Sequence, residues 1–274
     1  MPSIMGFLDS MRDRALMVLL GCSLRDKLRV FCSISLDLIP RRLKSHALYP
    51  RLRGLVEGLL IKGARVSRDG VRYVLVDYES LYIISSLKFE SEVIRHLRVG
   101  EGEVFVDVGA HIGKYALKIA KTVRNSLVVA VEPNPKNFEA LRRGIELNGL
   151  GNVIALNVAA WHRKEKMKLF LWDSGGGSSL KKDVGLGYVI VQAEPLDDVL
   201  ERIGVRHVDW MKIDVEWAEN EVLQGLRRTI ERCRPKIIFE SWDAEQPIKY
   251  LERYGYRCKY LGEGNHIAIP SLGP

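Results

Sequence analysis

Apolar residues recur along this chain with two spacings. Short runs rich in branched side chains, Val104–Val108, Leu127–Val131 and Val153–Asn157, alternate with stretches near 113–123 and 135–148 where apolar positions return every three or four residues. The first spacing predicts strands buried on both faces, and the second predicts helices that cover them. Further strands are expected at Lys168–Trp172, Trp210–Ile213, Lys236–Phe239, Arg257–Leu261 and Ile267–Ile269, with helices near 197–203, 219–231 and 245–254. This alternation specifies an α/β domain around a central sheet.

Upstream of residue 88 the pattern differs. Two apolar-rich stretches, Ile4–Leu24 and Leu28–Ile39, predict mostly helical structure, broken at Pro40 and the Arg41-Arg42 pair, with a further helix over Leu52–Leu60. Ala64–Ser67 and Val71–Val76 flank Arg68-Asp69-Gly70 and predict a hairpin, because the Asp-Gly pair tolerates positive φ. Residues 81–97 predict helix. The organisation expected is a basic, mostly helical extension over 1–87 with a hairpin near 64–76, followed by an α/β domain over 88–274.

Composition narrows the function classes. At 47% hydrophobic and 28% charged over 274 residues, the chain can bury a sizeable core and is neither disordered nor collagen-like. The four cysteines, Cys22, Cys32, Cys233 and Cys258, form no C-x-x-C pair, so they predict free thiols. The apolar run Ala15–Leu24 is too short to cross a bilayer and is followed by no convincing cleavage site, so the expected location is cytoplasmic, with a helix lying on a membrane left open.

The net charge of +8 is uneven: residues 1–100 carry 17 basic against 10 acidic residues. Arg25, Lys27, Arg29, Arg41, Arg42, Lys44, Arg51 and Arg53, with Tyr49 nearby, offer phosphates a surface. A cover over the core, a second subunit or a membrane surface accounts for the same segment.

The strongest local signal is Val104-Phe-Val-Asp-Val-Gly-Ala-His-Ile-Gly113, a strand that ends in a glycine turn before a helix. Gly109 and Gly113 are expected to let a ligand approach the backbone, and Asp107 sets a negative charge there. The three-glycine dinucleotide fingerprint is absent, and Asp107 opposes a pyrophosphate. A nucleoside with a sulfonium group, as in S-adenosyl-L-methionine, fits better. Glu132, at the end of the second strand, can accept both ribose hydroxyls, and Asn157, at the end of the third, is expected near adenine. Asp214 and Glu216 crowd two carboxylates at a later strand exit. A shared proton, a divalent ion and plain helix capping all remain open for that pair.

These motifs together, Asp107-Val-Gly-Ala-His-Ile-Gly113, Glu132-Pro-Asn-Pro135, Asn157-Val-Ala159, Gly177-Ser-Ser-Leu180, Leu196-Asp-Asp198, Lys212-Ile-Asp-Val-Glu216 and Ile238-Phe-Glu240, resemble the FkbM-type methyltransferases over about residues 88–269. The resemblance implies a class I S-adenosylmethionine-dependent methyltransferase fold, Rossmann-like, with a seven-stranded, mostly parallel sheet whose last strand is antiparallel. It also implies that Asp107, Gly109, His111 and Gly113 line the cofactor's methionine side, with Glu132 at the ribose and Asn157 near adenine. Glu90 matches a recurrent acidic position that closes over the cofactor, although a plain amphipathic-helix role fits it as well.

The acceptor implied is a hydroxyl of a small molecule or sugar, with Glu216, then Asp214 and Glu240, as candidate bases and no resident metal assigned. RNA methylation is the alternative acceptor class, and a non-enzymatic nucleotide-binding module is the competitor. Two departures stand out. Trp217 follows Glu216 where family members usually carry glycine, and His111 replaces a more usual asparagine. A bulky Trp217 is expected to narrow the pocket or stack on a planar substrate.

Overall fold

The computed structural model describes residues 14–35, 49, 54–55, 57–86, 89–172, 178–183 and 187–271. The expectations for 4–13 and 36–53 other than Tyr49, including the Pro40 break, and for the glycines at 175–177 lie outside the described residues.

Arg65–Arg68 (β1) and Val71–Val74 (β2) pair antiparallel about Asp69-Gly70, both at positive φ, as the hairpin expectation requires. The central sheet is built from Val104–Val108 (β3), Leu127–Val131 (β4), Val153–Leu156 (β5), Trp210–Ile213 (β9), Lys236–Glu240 (β10), Tyr256–Gly262 (β11) and Asn265–Pro270 (β12). Its order is β11-β12-β10-β9-β3-β4-β5. Every neighbouring pair from β10 to β5 is parallel, and β12 runs antiparallel between β10 and β11. The chain therefore starts mid-sheet, builds one wing through β5, and returns to build the other. Such a reversal of strand order opens a crevice beyond the carboxyl ends of the strands.

Alternation within the strands explains why both faces are covered. Phe105, Val128 and Ala130 pack on one side with Ala116, Leu117 and Leu141 of the helices Lys114–Thr122 and Pro135–Asn148. Val106, Val108, Val129 and Val131 point the other way, toward Leu196, Val199 and Ile230. The first of these cores also takes in Val66 and Val71 of the hairpin and Val30 and Ile34 of the helix Leu24–Ser35.

Three elements differ from expectation. A side sheet of Ala159–Ala160 (β6), Glu165–Phe170 (β7) and Tyr188–Glu194 (β8) stands beside the main one, and β8 is not among the expected strands. The helix expected over 81–97 is two, Tyr78–Ser85 and Ser91–His96, separated by Glu90 at φ 53°. The helix expected over 219–231 breaks into Glu219–Gln224 and Arg227–Cys233 at Gly225. Gly225 sits so close to the Trp161 carbonyl that no Cβ fits there.

Candidate active site

The parallel strands deliver their carboxyl ends to one edge, where a cleft of about 280 Å³ opens. Its walls carry seven carboxylates, Glu79, Glu90, Asp107, Glu132, Asp214, Glu216 and Glu240, against two lysines, Lys114 and Lys212. An excess of negative groups at that density rejects a pyrophosphate and favours a cationic ligand.

Glu132 is fixed by the turns around it. Its Oε2 accepts the His111 N–H at 2.8 Å and its Oε1 accepts the Asn134 N–H at 2.8 Å, so the β3 and β4 exits are tied through one carboxylate. Burial pushes its carboxyl up to about 7 despite those donors. Each carboxylate oxygen accepts more than one hydrogen, so a pair of ribose hydroxyls can still be served. His111 adopts φ 52°, and its Nε2 is buried without a hydrogen-bond partner among the described residues. Burial holds this ring below its ordinary value, hence neutral.

The glycines also serve packing within the protein. Gly109 has φ 82°, and a Cβ there would overlap the Asp214 carbonyl oxygen and lie 2.9 Å from its carbon. The space it keeps open is filled by the β9 exit rather than by ligand, although Gly109 also borders the cleft. Gly113, at φ 94°, does not border it. A Cβ there would meet Leu117 and Leu141 side chains at 2.7 Å, so this glycine lets helices Lys114–Thr122 and Pro135–Asn148 pack closely. Asn157 also stands outside the cleft lining. Its amide donates to the carbonyls of Glu132 at 2.8 Å and Pro133 at 3.1 Å, so it positions the Glu132 turn.

Asp107 is buried and accepts the Ala116 N–H at 2.9 Å, stabilising the N-terminal turn of the helix behind it. Burial, opposed by Lys212, lifts its carboxyl to about 7. Beyond it Glu90, Lys114, Lys212, Asp214 and Glu240 form one network. Lys114 Nζ lies 2.6 Å from Glu90 Oε2, and Lys212 Nζ lies 3.1 Å from Asp214 Oδ2 and 3.7 Å from Glu90 Oε1. Lys212 is 1% exposed yet remains charged, because Asp214, Glu90 and Glu240 raise its affinity for the proton above the ordinary value against the pull of desolvation. The pair of lysines holds Glu90 below its ordinary range in spite of burial. The left-handed backbone at Glu90 and the Glu263 carboxylate that accepts its N–H fix this side chain over the cleft.

Glu90, Asp214 and Glu240 each bring a carboxylate oxygen within 4.8 Å of the others. Lys212 supplies the positive charge that such a group requires.

Glu216 lies at the rim. Burial and the neighbouring Asp214 push it up to about 7, and the Ser179 hydroxyl donates to its carbonyl at 2.8 Å. Glu240 rises to about 8 from burial and Asp214. Trp217 follows with φ 76°, a conformation glycine adopts freely, which explains why glycine is usual there. Its ring does not border the main cleft. It borders a small adjoining recess with Glu216, Glu240 and Trp242, and Lys182 Nζ lies 4.7 Å from its centroid. It therefore leaves the main cleft unnarrowed.

Lys114, Lys212 and Tyr115 also line the cleft, and motif reading passed over them as site residues. The signal was present for Lys212, since a lysine inside a strand buried on both faces needs carboxylate partners.

A sheet ordered in this way, with one reversed strand and an acidic cleft at the reversal, defines a class I S-adenosylmethionine-dependent methyltransferase. The sequence signature described as the methyltransferase FkbM domain matches residues 107–258, and the chain belongs to that family.

Among curated relatives, the hexuronic acid methyltransferase AglP of Haloferax volcanii is 29% identical over 177 residues, covering 64% of this chain and 72% of that protein. Methyltransferase sdnD of Sordaria araneosa is 26% identical over 170 residues, or 50% of this chain and 66% of that one. A crystal structure of the FkbM methyltransferase from Methylobacillus flagellatus KT aligns with 96% of this chain and 59% of its own, at 15% identity and a TM-score of 0.49.

Proposed function

We propose that this enzyme methylates a hydroxyl group of a sugar or sugar-like small molecule, with Glu216 as the proton acceptor. The observation that carries the proposal is a rim carboxylate raised to about 7 by burial and Asp214, on the lining of the main cleft beside its acidic wall. A base with an affinity near working pH removes a hydroxyl proton most effectively.

S-adenosylmethionine supplies a methyl group on a cationic sulfur. The chain's residues do the rest: Glu132 holds the ribose hydroxyls, Glu90 and Asp214 hold positive charge, and Lys114 and Lys212 keep that wall assembled. Glu216 would take the acceptor's proton onto a carboxylate oxygen as the acceptor oxygen bonds to the methyl carbon and the carbon–sulfur bond breaks, leaving S-adenosylhomocysteine, and the side sheet, through Leu169, would help exclude water from the cleft. The hexuronic acid methyltransferase among the relatives supports a sugar acceptor.

Nucleic acid is less well supported, because no relative considered above is described as acting on it, and one of the basic residues counted for a phosphate surface is engaged within the protein. Arg29 donates to the carbonyls of Leu60 and Lys62 at 2.7 Å each. Arg41, Arg42, Lys44, Arg51 and Arg53 lie outside the described residues.

The test is methyl transfer from S-adenosylmethionine to a panel of methyl glycosides and uronides, followed by mass spectrometry. A product one methyl heavier on a sugar oxygen, lost in Glu216→Gln, is expected. Methylation of RNA with every glycoside untouched would refute the proposal.

A further inference from the structure

The helix Leu24–Ser35 buries Asp26, Val30, Ser33 and Ile34 and turns its opposite face outward. On a helix docked by one face, the outward face is ordinarily polar. Here Leu24, Leu28 and Phe31, spaced i, i+4 and i+7, are 75%, 54% and 55% exposed. Leu19 just upstream is exposed too, as are Leu55 and Leu59 on the neighbouring segment to which Arg29 is hydrogen-bonded.

Among the described residues of the helix, the charges that border this stripe have one sign. At about 100° per residue, Lys27 flanks it on one side and Arg25 on the other. The helix's one acid, Asp26, is on the buried face, where it accepts from Ser23 Oγ at 2.7 Å and Arg65 N–H at 3.1 Å. Cations bordering an outward apolar stripe match the boundary of a phospholipid layer, with leucine and phenylalanine among the acyl chains and lysine and arginine at the phosphates. A second copy docked face to face across a two-fold axis would instead bring these cations toward their own counterparts. Among the described residues no helix is long and apolar enough to cross a membrane, so the contact would be peripheral.

We infer that the Leu24–Ser35 helix docks the enzyme on an anionic lipid surface through Leu24, Leu28 and Phe31, with Arg25 and Lys27 on the headgroups. The inference is independent of the acceptor proposed above.

The test is co-sedimentation of the full chain with vesicles of phosphatidylcholine alone or mixed with phosphatidylglycerol, at low and high salt. Binding to the anionic vesicles that weakens with salt is expected. Leu28→Ser/Phe31→Ser should lower the bound-to-free ratio by roughly tenfold or more. Arg25→Gln/Lys27→Gln should remove the salt dependence, and S-adenosylhomocysteine binding by calorimetry should stay unchanged in both, showing that they are folded. The inference is overturned if the parent chain stays in the supernatant with both vesicle types, or if Leu28→Ser/Phe31→Ser binds as the parent does. It is equally overturned if ultracentrifugation shows a dimer that this variant disrupts while the parent ignores vesicles.

Discussion

Replacing Gly109 with alanine separates two meanings of the glycine turn. If the glycine served only ligand approach, the variant would fold normally and bind cofactor poorly. The structure gives a different expectation, because the added Cβ would overlap the Asp214 carbonyl oxygen and lie 2.9 Å from its carbon. Both positions belong to backbone, so relief requires the β3 and β9 exits to part by roughly 1 Å or more to reach ordinary contact distance. That movement strains the bond from Asp214 N–H to the Val108 carbonyl and that from Gly109 N–H to the Val131 carbonyl, both 2.9 Å.

Holding alanine at φ 82° costs about 1–2 kcal/mol. Overpacking adds about 1–3 kcal/mol, and each weakened hydrogen bond up to about 1 kcal/mol. A loss of about 2–7 kcal/mol is expected, a large share of a typical domain's stability. Urea denaturation followed by tryptophan fluorescence reads it as a lowered midpoint at unchanged slope, and calorimetry with S-adenosylhomocysteine should show weaker binding as well. An unchanged midpoint with binding abolished would refute the packing argument and restore a ligand-only role.

Other expectations follow from the same geometry. Glu132→Gln turns an amide N–H₂ toward the backbone donors of His111 or Asn134 and should weaken S-adenosylhomocysteine binding about 10- to 100-fold, whereas full affinity would place the ribose elsewhere. Asp107, Glu132 and Glu216 are raised to about 7 and Glu240 to about 8, so their protonated forms stabilise the folded chain below about pH 4 and lose that contribution as pH rises through 7–8. Glu90, held low, contributes in the opposite sense, a contribution present above the ordinary carboxylate range and lost as pH falls below it.

The cofactor-free melting temperature should therefore fall from pH 5 to 8, and saturating S-adenosylmethionine, a cation, should flatten the fall; a rise over that range would contradict the burial argument. Trp217→Gly relieves a left-handed backbone worth about 1 kcal/mol, so the urea midpoint should not fall, while the acceptor KM should rise with cofactor affinity intact. A raised cofactor Kd in that variant would put the indole in the wrong pocket.

The central sheet was legible because its strands are buried on both faces and read as unbroken apolar runs between glycine turns. Strand β8 was not, since Tyr188 and Ile190 point to solvent and only one face of Tyr188–Glu194 is packed, which blurs the signal. Glu132, Asp214, Glu216 and Glu240 could be placed because a residue ending a parallel strand must reach the same edge. What occupies the space a glycine leaves cannot be read from its letter, and at Gly113 the occupants are Leu117 and Leu141. Asn157 shows a similar ambiguity: an amide at a strand exit serves ligand or backbone equally well, and here two carbonyls one strand away take it.

A crystal structure of the enzyme with S-adenosylhomocysteine tests the site most directly. Both ribose hydroxyls should lie within hydrogen-bonding distance of Glu132, with the amino-acid end against Glu90 and Asp214. Ligand density away from the β3 and β4 exits, or a Glu132 carboxylate still bonded to protein alone, would contradict the account.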